Sequence, residues 1–190
     1  GYKTQQASFK SLLYQNLQST STNNSGAEKP VAAEVGLGSR VAAITGDFSQ
    51  GKLTATEQPL DVAIEGKGFF QVRMPNGDIE YTRDGSFIVS PAAQGNLLCT
   101  TDGYPVLDQN QNNIYLPTSH VATDVVISDQ GVIGFPDASG NAATLISNGY
   151  EVRLGLVQFN NPAGLAKTGS NNYAVTVASG TPVPENGGAN

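Results

Sequence analysis

Two short glycine-containing stretches carry residue types that could hold a phosphate group. Gly66-Lys67-Gly68 follows an alternating, strand-like run, and Gly36-Leu37-Gly38 lies upstream of it. A dinucleotide-binding turn needs a third glycine and must open a helix, but both stretches lack that glycine and continue into strand-like sequence. We therefore interpret Gly66 and Gly68 as a backbone bend and expect no nucleotide cofactor.

A second candidate is a calcium loop, because Asp108, Asn110 and Asn112 stand at alternating positions. The calcium-binding motif also requires glycine at its sixth place and a bidentate glutamate at its twelfth. This chain has Asn113 and Ser119 there, so a solvated hairpin loop is the better interpretation.

The single histidine and the single cysteine give little basis for catalysis. No nucleophile elbow accompanies His120, which we expect in a strand connection. Cys99 excludes an internal disulfide and a cysteine-based metal site, and it is expected to pack as a small apolar residue. The sequence thus predicts no catalytic, cofactor-binding or metal-ligating residue, and an enzyme is not expected.

The charge balance restricts the partners. The formal net charge is −6, and the ten Lys and Arg residues are spread thinly along the chain. Nucleic acids and anionic membrane surfaces require clustered basic residues, so neither is an expected partner. No apolar run approaches the ~20 residues of a membrane span. The chain begins without Met and is expected to be a fragment.

Apolar spacing divides the chain into four predicted segments. Phe9, Leu12, Leu13 and Leu17 predict the end of a helix over 1–18. Residues 19–52 are predicted as an extended arm, polar from Ser19 to Pro30, followed by a first β segment. Residues 53–178 are predicted as a β domain and 179–190 as a linker.

Short alternating runs between Gly-type turns set the predicted fold class. They favour a mainly β, antiparallel sandwich or barrel-like domain with a short N-terminal helix and an extended polar arm. Phe69 and Phe70, on alternate faces, are expected to cover a core and a second surface. Asp84-Gly85 predicts a hairpin turn flanked by Tyr81 and Phe87, with Arg83 free to pair with Asp84.

Several of these stretches occur together in an order that resembles the rod and hook family of bacterial flagellar axial proteins. They are DVAIEGKGFFQV from Asp61, YTRDGSF from Tyr81, GNLLCTTDGYPVL from Gly95 and GLGSRVAAITGDFSQGKL from Gly36. The resemblance covers most of the chain. It implies that Gly36, Gly38, Asp61, Gly66, Gly68, Phe69, Phe70, Tyr81, Arg83, Asp84, Gly85 and Phe87 serve the fold or assembly.

One insertion helps to place the chain within that family. The polar stretch from Asn16 to Glu34 resembles an insertion held to stiffen the straight rod, and the hook's large outer domain has no room between Phe87 and Tyr173. A subunit of the distal part of the rod is therefore favoured over the hook protein, with a proximal rod protein as the third choice. A carbohydrate-binding adhesin module, which would need exposed aromatic platforms, is the alternative from another class.

The resemblance implies a structural function. Family members are exported through the flagellar type III channel without a cleavable signal, and they polymerise into a tube that crosses the periplasm and transmits torque. The expected partners are copies of the chain, other rod and hook subunits, the export apparatus and the rings around the rod. We hypothesise that the polar arm and Val35–Val41 form an extended hairpin that bridges neighbouring subunits.

Overall fold

The described part of the chain divides into two compact units. The computed structural model describes residues 5–11, 14–18, 33–36, 39–136, 142–169 and 171–185. One unit ends at Asp47, and the other begins at Phe48 and contains the rest of the described residues.

The N-terminal unit is an antiparallel ribbon. Its strands are β1 (Gln5–Ser11), β2 (Tyr14–Gln18), β3 (Ala33–Gly36) and β4 (Ser39–Gly46). β1 pairs with β4 and β2 pairs with β3, so the chain runs out along β1 and β2 and returns along β3 and β4. Within the segment Val35–Val41, Val35 and Gly36 pair with β2 and Ser39 to Val41 pair with β1. The predicted polar arm, Ser19 to Pro30, lies outside the described residues.

The ribbon shows that the helix predicted over 1–18 is wrong for the described residues of that segment, which form β1 and β2. A helix with one narrow apolar stripe and no packing partner is marginal in water. β4 contains Val41, Ile44 and Thr45, which favour strands, and it offers β1 a backbone partner along its whole length. Long-range pairing therefore overrides the helical spacing.

In its described residues, the C-terminal unit consists of short strands and two 3-10 turns, Ala122–Asp124 and Pro162–Gly164. The strands are β5 (Phe69–Arg73), β6 (Ile79–Thr82), β7 (Phe87–Ala92), β8 (Gly95–Thr100), β9 (Tyr115–Leu116), β10 (Val126–Ile127), β11 (Ile133–Pro136), β12 (Ala142–Thr144), β13 (Ile146–Ser147), β14 (Tyr150–Glu151), β15 (Leu156–Gln158), β16 (Ala166–Gly169), β17 (Asn172–Ala174) and β18 (Val183–Pro184).

These strands form antiparallel sheets, which confirms the predicted class, although the sheets do not close into a barrel. The largest is six-stranded in the order β16-β17-β6-β5-β15-β18, and two three-stranded sheets have the orders β7-β8-β9 and β10-β11-β12. Residues from 179 onward were predicted as a linker, but β18 pairs with β15 and Ser179 is fully buried. The described part of that segment, up to residue 185, is thus attached to the sheet.

Strand β5 lies between two hydrophobic clusters. Phe70 and Val72 belong to the larger cluster and Phe69 to an aromatic one. The other buried members of the larger cluster are Leu60, Phe87, Leu98, Val106, Ile114, Leu116, Val125, Ile133, Phe135, Val152 and Leu154. The aromatic cluster adds Tyr81, Val157, Phe159 and Tyr173. Because both faces of β5 are covered, this strand connects the two parts of the core.

Candidate functional site: a motif centred on Arg83

The bend at Gly66-Lys67-Gly68 closes around the guanidinium group of Arg83. Arg83 Nε donates to the Gly68 carbonyl oxygen at 2.8 Å, and Nη1 donates to the Phe48 carbonyl oxygen at 3.1 Å. Nη2 donates to the Gly66 carbonyl oxygen. Gly66 has a φ of +93°, which is why glycine suits this position. The bend inferred from the sequence is therefore present, and Arg83 holds it in place.

The polarity of this bend is opposite to that of a phosphate site. A phosphate-binding turn directs backbone N–H groups at the anion. Here the carbonyl oxygens of Gly66 and Gly68 converge on a cation, and the Gly66 N–H donates to Gln50 Oε1 at 3.3 Å. This arrangement favours a bound guanidinium and offers little to an anion.

Arg83 also contacts the aromatic cluster. Its guanidinium carbon lies 5.4 Å from the centroid of the Phe69 ring, within the range of a cation–π interaction. Burial lowers the pKa of Arg83 from its ordinary value, and the electrostatic interaction with Tyr173 acts in the opposite direction. Since the ordinary pKa of an arginine lies far above neutral pH, the group stays charged at neutral pH.

The aromatic residues of the motif belong to the core. Phe69 makes edge contacts with Phe48 at 5.4 Å and Phe159 at 5.5 Å between centroids. Phe70 contacts Phe87 at 5.1 Å on the other face of β5. Tyr81 contacts Phe159 at 4.9 Å, and burial raises the pKa of the Tyr81 hydroxyl. The second surface expected for one phenylalanine is thus a second buried cluster.

Asp84-Gly85 is a crossover between sheets, and the predicted hairpin is wrong. β6, which precedes it, pairs with β5 and β17, whereas β7, which follows it, pairs with β8. Gly85 is needed for close approach: a Cβ there would lie 1.7 Å from the Val62 carbonyl oxygen. Val62 N–H donates to the Gly85 carbonyl at 2.9 Å, and Asp61 forms a bridge with Ser86.

The expected pairing of Arg83 with Asp84 is replaced by other contacts. Asp84 Oδ1 accepts from the Ser86 N–H at 3.3 Å, and Oδ2 accepts from Asn171 Nδ2 at 3.0 Å. The backbone carbonyl oxygen of Asn171 accepts a hydrogen bond from Thr82 Oγ1 at 3.0 Å. The φ angle of Asn171 is +70°. Asn171 was missed by sequence reasoning because its partners lie 87 and 89 positions away, and only the Asn tolerance for positive φ could have drawn attention to it.

Three glycines of the family motifs, Gly36, Gly38 and Gly68, belong to different parts of the chain. Gly68 is buried, and a Cβ there would lie 3.2 Å from Ile64 Cγ2 and 3.3 Å from Glu185 Oε2. Gly36 ends β3, where it pairs with Tyr14, and Gly38 lies outside the described residues. Gly36 therefore belongs to the ribbon.

The remaining candidate residues, Asp108, His120 and Cys99, make contacts within the fold or are buried in it. Asp108 is buried, and its Oδ1 accepts from the backbone N–H groups of Asn110 at 2.8 Å and Asn112 at 2.7 Å. His120 stacks on Phe135 with the ring centroids 4.6 Å apart. Cys99 is buried, which raises the pKa of its thiol. Within the part of the chain that the structure describes, no group of three His, Cys, Asp or Glu residues could hold a metal ion.

A shallow groove of about 300 Å³ lies beside the motif and is lined by Leu53, Asp61, Ile64 and Asp84, among others. Both carboxylate oxygens of Asp84 already accept hydrogen bonds, one from the Ser86 N–H and one from Asn171 Nδ2.

Across the described ranges, no helix has the length and apolar character needed to cross a membrane.

Comparison with known proteins agrees with this architecture. Residues 63–135, which include β5 to β10, most of β11 and Arg83, match the family of the flagellar hook protein FlgE/F/G D1 domain. The chain is 35% identical over its full length to the flagellar basal-body rod protein FlgG of Buchnera aphidicola subsp. Acyrthosiphon pisum, covering 68% of that protein. The chain belongs to the flagellar basal-body rod protein family.

Other members of the rod protein family match nearly as much of the chain. The FlgG protein of Agrobacterium fabrum is 38% identical, with 96% of this chain and 65% of the relative covered. That of Borreliella burgdorferi is 34% identical, with 95% and 64% covered. The chain spans about two thirds of the length of these relatives. As a member of this family it is a structural subunit of the flagellar basal body.

Proposed function

We propose that the chain is a subunit of the distal rod, which polymerises into a straight helical tube and transmits motor torque across the periplasm to the hook. The observation that carries this proposal is the similarity to flagellar basal-body rod proteins, which extends over 96% to 100% of this chain. Because the family model is named for the hook protein as well, the hook protein is the second candidate.

The ribbon supports a role in stiffening the tube. Its paired strands β1–β4 and β2–β3 lead toward residues 19–32, and Phe9 on β1 is 67% exposed. A two-stranded ribbon is marginally stable by itself, so contacts with other subunits would stabilise it. The segment from Asn16 to Glu34 then bridges neighbouring copies in the tube.

The motif residues serve the fold in this proposal. Gly66, Gly68, Phe69, Arg83 and Gly85 fix the bend, the crossover and the core, so that the outer surface of the β domain is presented in one conformation. The export apparatus and the rings around the rod are the further proposed partners. Rod assembly uses many modest contacts between subunits and requires no catalytic group.

The test is electron microscopy of the full-length protein beside a variant that lacks Asn16 to Glu34. The parent is expected to form straight tubes and the variant bendable ones. The melting temperature of the C-terminal unit should not change, since every member of both hydrophobic clusters lies at or beyond residue 48.

A variant in which residues 19–32 are replaced by a Gly/Ser segment of equal length serves as the matched control. It should also form bendable tubes if the side chains of the arm make the bridging contacts. Straight, stiff tubes from the deletion variant would contradict the bridging role. Curved tubes from the parent itself would favour the hook protein.

A further inference from the structure

A valine stands fully exposed on a turn that the rest of the fold holds in place. Val177 has a relative exposure of 104%, so its side chain contacts essentially nothing in the subunit. It lies in the turn between β17 and β18, formed by Thr176 to Gly180. Single exposed apolar residues are common on proteins. The construction of this turn sets Val177 apart.

The turn is closed by reciprocal hydrogen bonds. Ser179 N–H donates to the Thr176 carbonyl at 3.2 Å, and Thr176 N–H donates to Ser179 Oγ at 3.0 Å. The Ala178 N–H donates to Thr176 Oγ1 at 3.1 Å. Ser179 itself is 0% exposed. The backbone on both sides of Val177 therefore has little freedom.

A neighbouring loop braces the same turn. Asn161 Nδ2 donates to the Ala178 carbonyl at 2.9 Å, and Thr176 Oγ1 donates to the Gly164 carbonyl. A Cβ on Gly164 would lie 2.6 Å from the Ala178 carbonyl carbon, so the two backbones are in direct contact. Hydrogen bonds of the neighbouring residues thus fix the backbone around Val177, while the Val177 side chain is exposed to solvent.

The charge distribution indicates what such a side chain can contact. The chain carries a formal net charge of −6, so two copies repel each other and are best joined through uncharged surface. Residues 175–184 contain no charged side chain, and Val175 and Val183 are also exposed. Burying this segment against another copy would desolvate no ion.

We propose that the turn Thr176–Gly180 is an assembly contact in which Val177 is buried against a second copy of this chain. A preformed turn loses little conformational entropy on binding, so the burial of one valine contributes almost fully. When the Val177 side chain packs against a different surface of the next copy, the contact is head-to-tail. Head-to-tail contacts that do not close into a ring generate open helical polymers. The proposal rests on the polymerisation proposed above and identifies one contact residue within it.

The test compares the critical concentration for polymerisation of the full-length protein with that of Val177→Ala and Val121→Ala. Val177→Ala removes two methyl groups from the contact and should raise the critical concentration about tenfold. Val121→Ala removes the same two methyl groups from an exposed valine outside this segment and should change the critical concentration less than about twofold. Both variants should retain the parent's melting temperature.

A second measurement reports burial directly. An environment-sensitive dye on Val177→Cys, in a Cys99→Ala background, should shift its emission to shorter wavelength when the protein polymerises. Unchanged polymerisation of Val177→Ala, or an equal effect of Val121→Ala, would overturn the contact while leaving the rod function intact. A parent protein that forms no polymer would instead refute the proposed function and the contact together.

Discussion

Among the single residues of the site, Arg83 makes a set of contacts that no other residue type could reproduce. Its guanidinium group donates to three backbone carbonyls, two on the Gly66–Gly68 bend and one on Phe48, and its plane lies near the Phe69 ring. Lysine carries the same charge but has no planar set of donors that could reach all three acceptors. The identity of this residue is therefore set by geometry as well as charge.

Arg83→Lys is predicted to lower the free energy of unfolding by about 2 kcal/mol, because hydrogen bonds from a charged donor to partly buried carbonyls are lost. Chemical denaturation followed by circular dichroism measures the change. Lys67→Met, on the exposed side of the same bend, is the control and should shift stability by less than about 0.5 kcal/mol. Equal effects of the two substitutions would show that Arg83 does not hold the bend.

At the scale of elements, the crossover from β6 to β7 explains why the motif contains Gly85. The chain leaves the six-stranded sheet and enters β7-β8-β9 while passing against the backbone of Val62. A side chain at residue 85 would occupy the space of the Val62 carbonyl group. The constraint is contact between two backbones, which cannot relax by a rotamer change.

Gly85→Ala is predicted to destabilise the C-terminal unit by about 3 kcal/mol, the upper part of the range for overpacking. Differential scanning calorimetry would record a lower melting temperature. Gly51→Ala adds the same methyl group where nothing lies within 4 Å, and it should leave the melting temperature nearly unchanged. A stable Gly85→Ala variant would mean that the crossover can move away from Val62.

At the scale of the whole C-terminal unit, β5 joins the two hydrophobic clusters. Phe69 and Phe70 are adjacent in sequence, almost fully buried, and belong to different clusters. Loss of either cluster removes the cover from one face of the same strand. We therefore expect the two clusters to unfold in one cooperative transition.

Phe69→Ala tests this expectation, since it removes a ring from the aromatic cluster and should cost about 3 kcal/mol or more. Tyrosine fluorescence and the labelling of Cys99, which is buried on β8, the strand that contributes Leu98 to the larger cluster, should shift to the same lower urea midpoint. Phe9→Ala, on the exposed ribbon phenylalanine, should shift neither probe. A Cys99 midpoint that stays in place would show that the clusters unfold separately.

The fold class and the family could both be predicted from the amino-acid sequence alone. Alternation and Gly-type turns are local properties, and Asn76-Gly77 and Asn148-Gly149 do join β5 to β6 and β13 to β14. The order of the motifs likewise identified the flagellar rod and hook proteins without any coordinates.

Contacts between distant segments determine where the local secondary-structure preference of a stretch is not followed. The spacing of Phe9 and Leu17 favoured a helix, yet pairing with β3 and β4 made strands of β1 and β2. Asp84-Gly85 has the composition of a hairpin, but Gly85 is set by a backbone that lies 23 positions earlier, at Val62. Such contacts depend on which distant segments meet, and the residue types at one position do not contain that information.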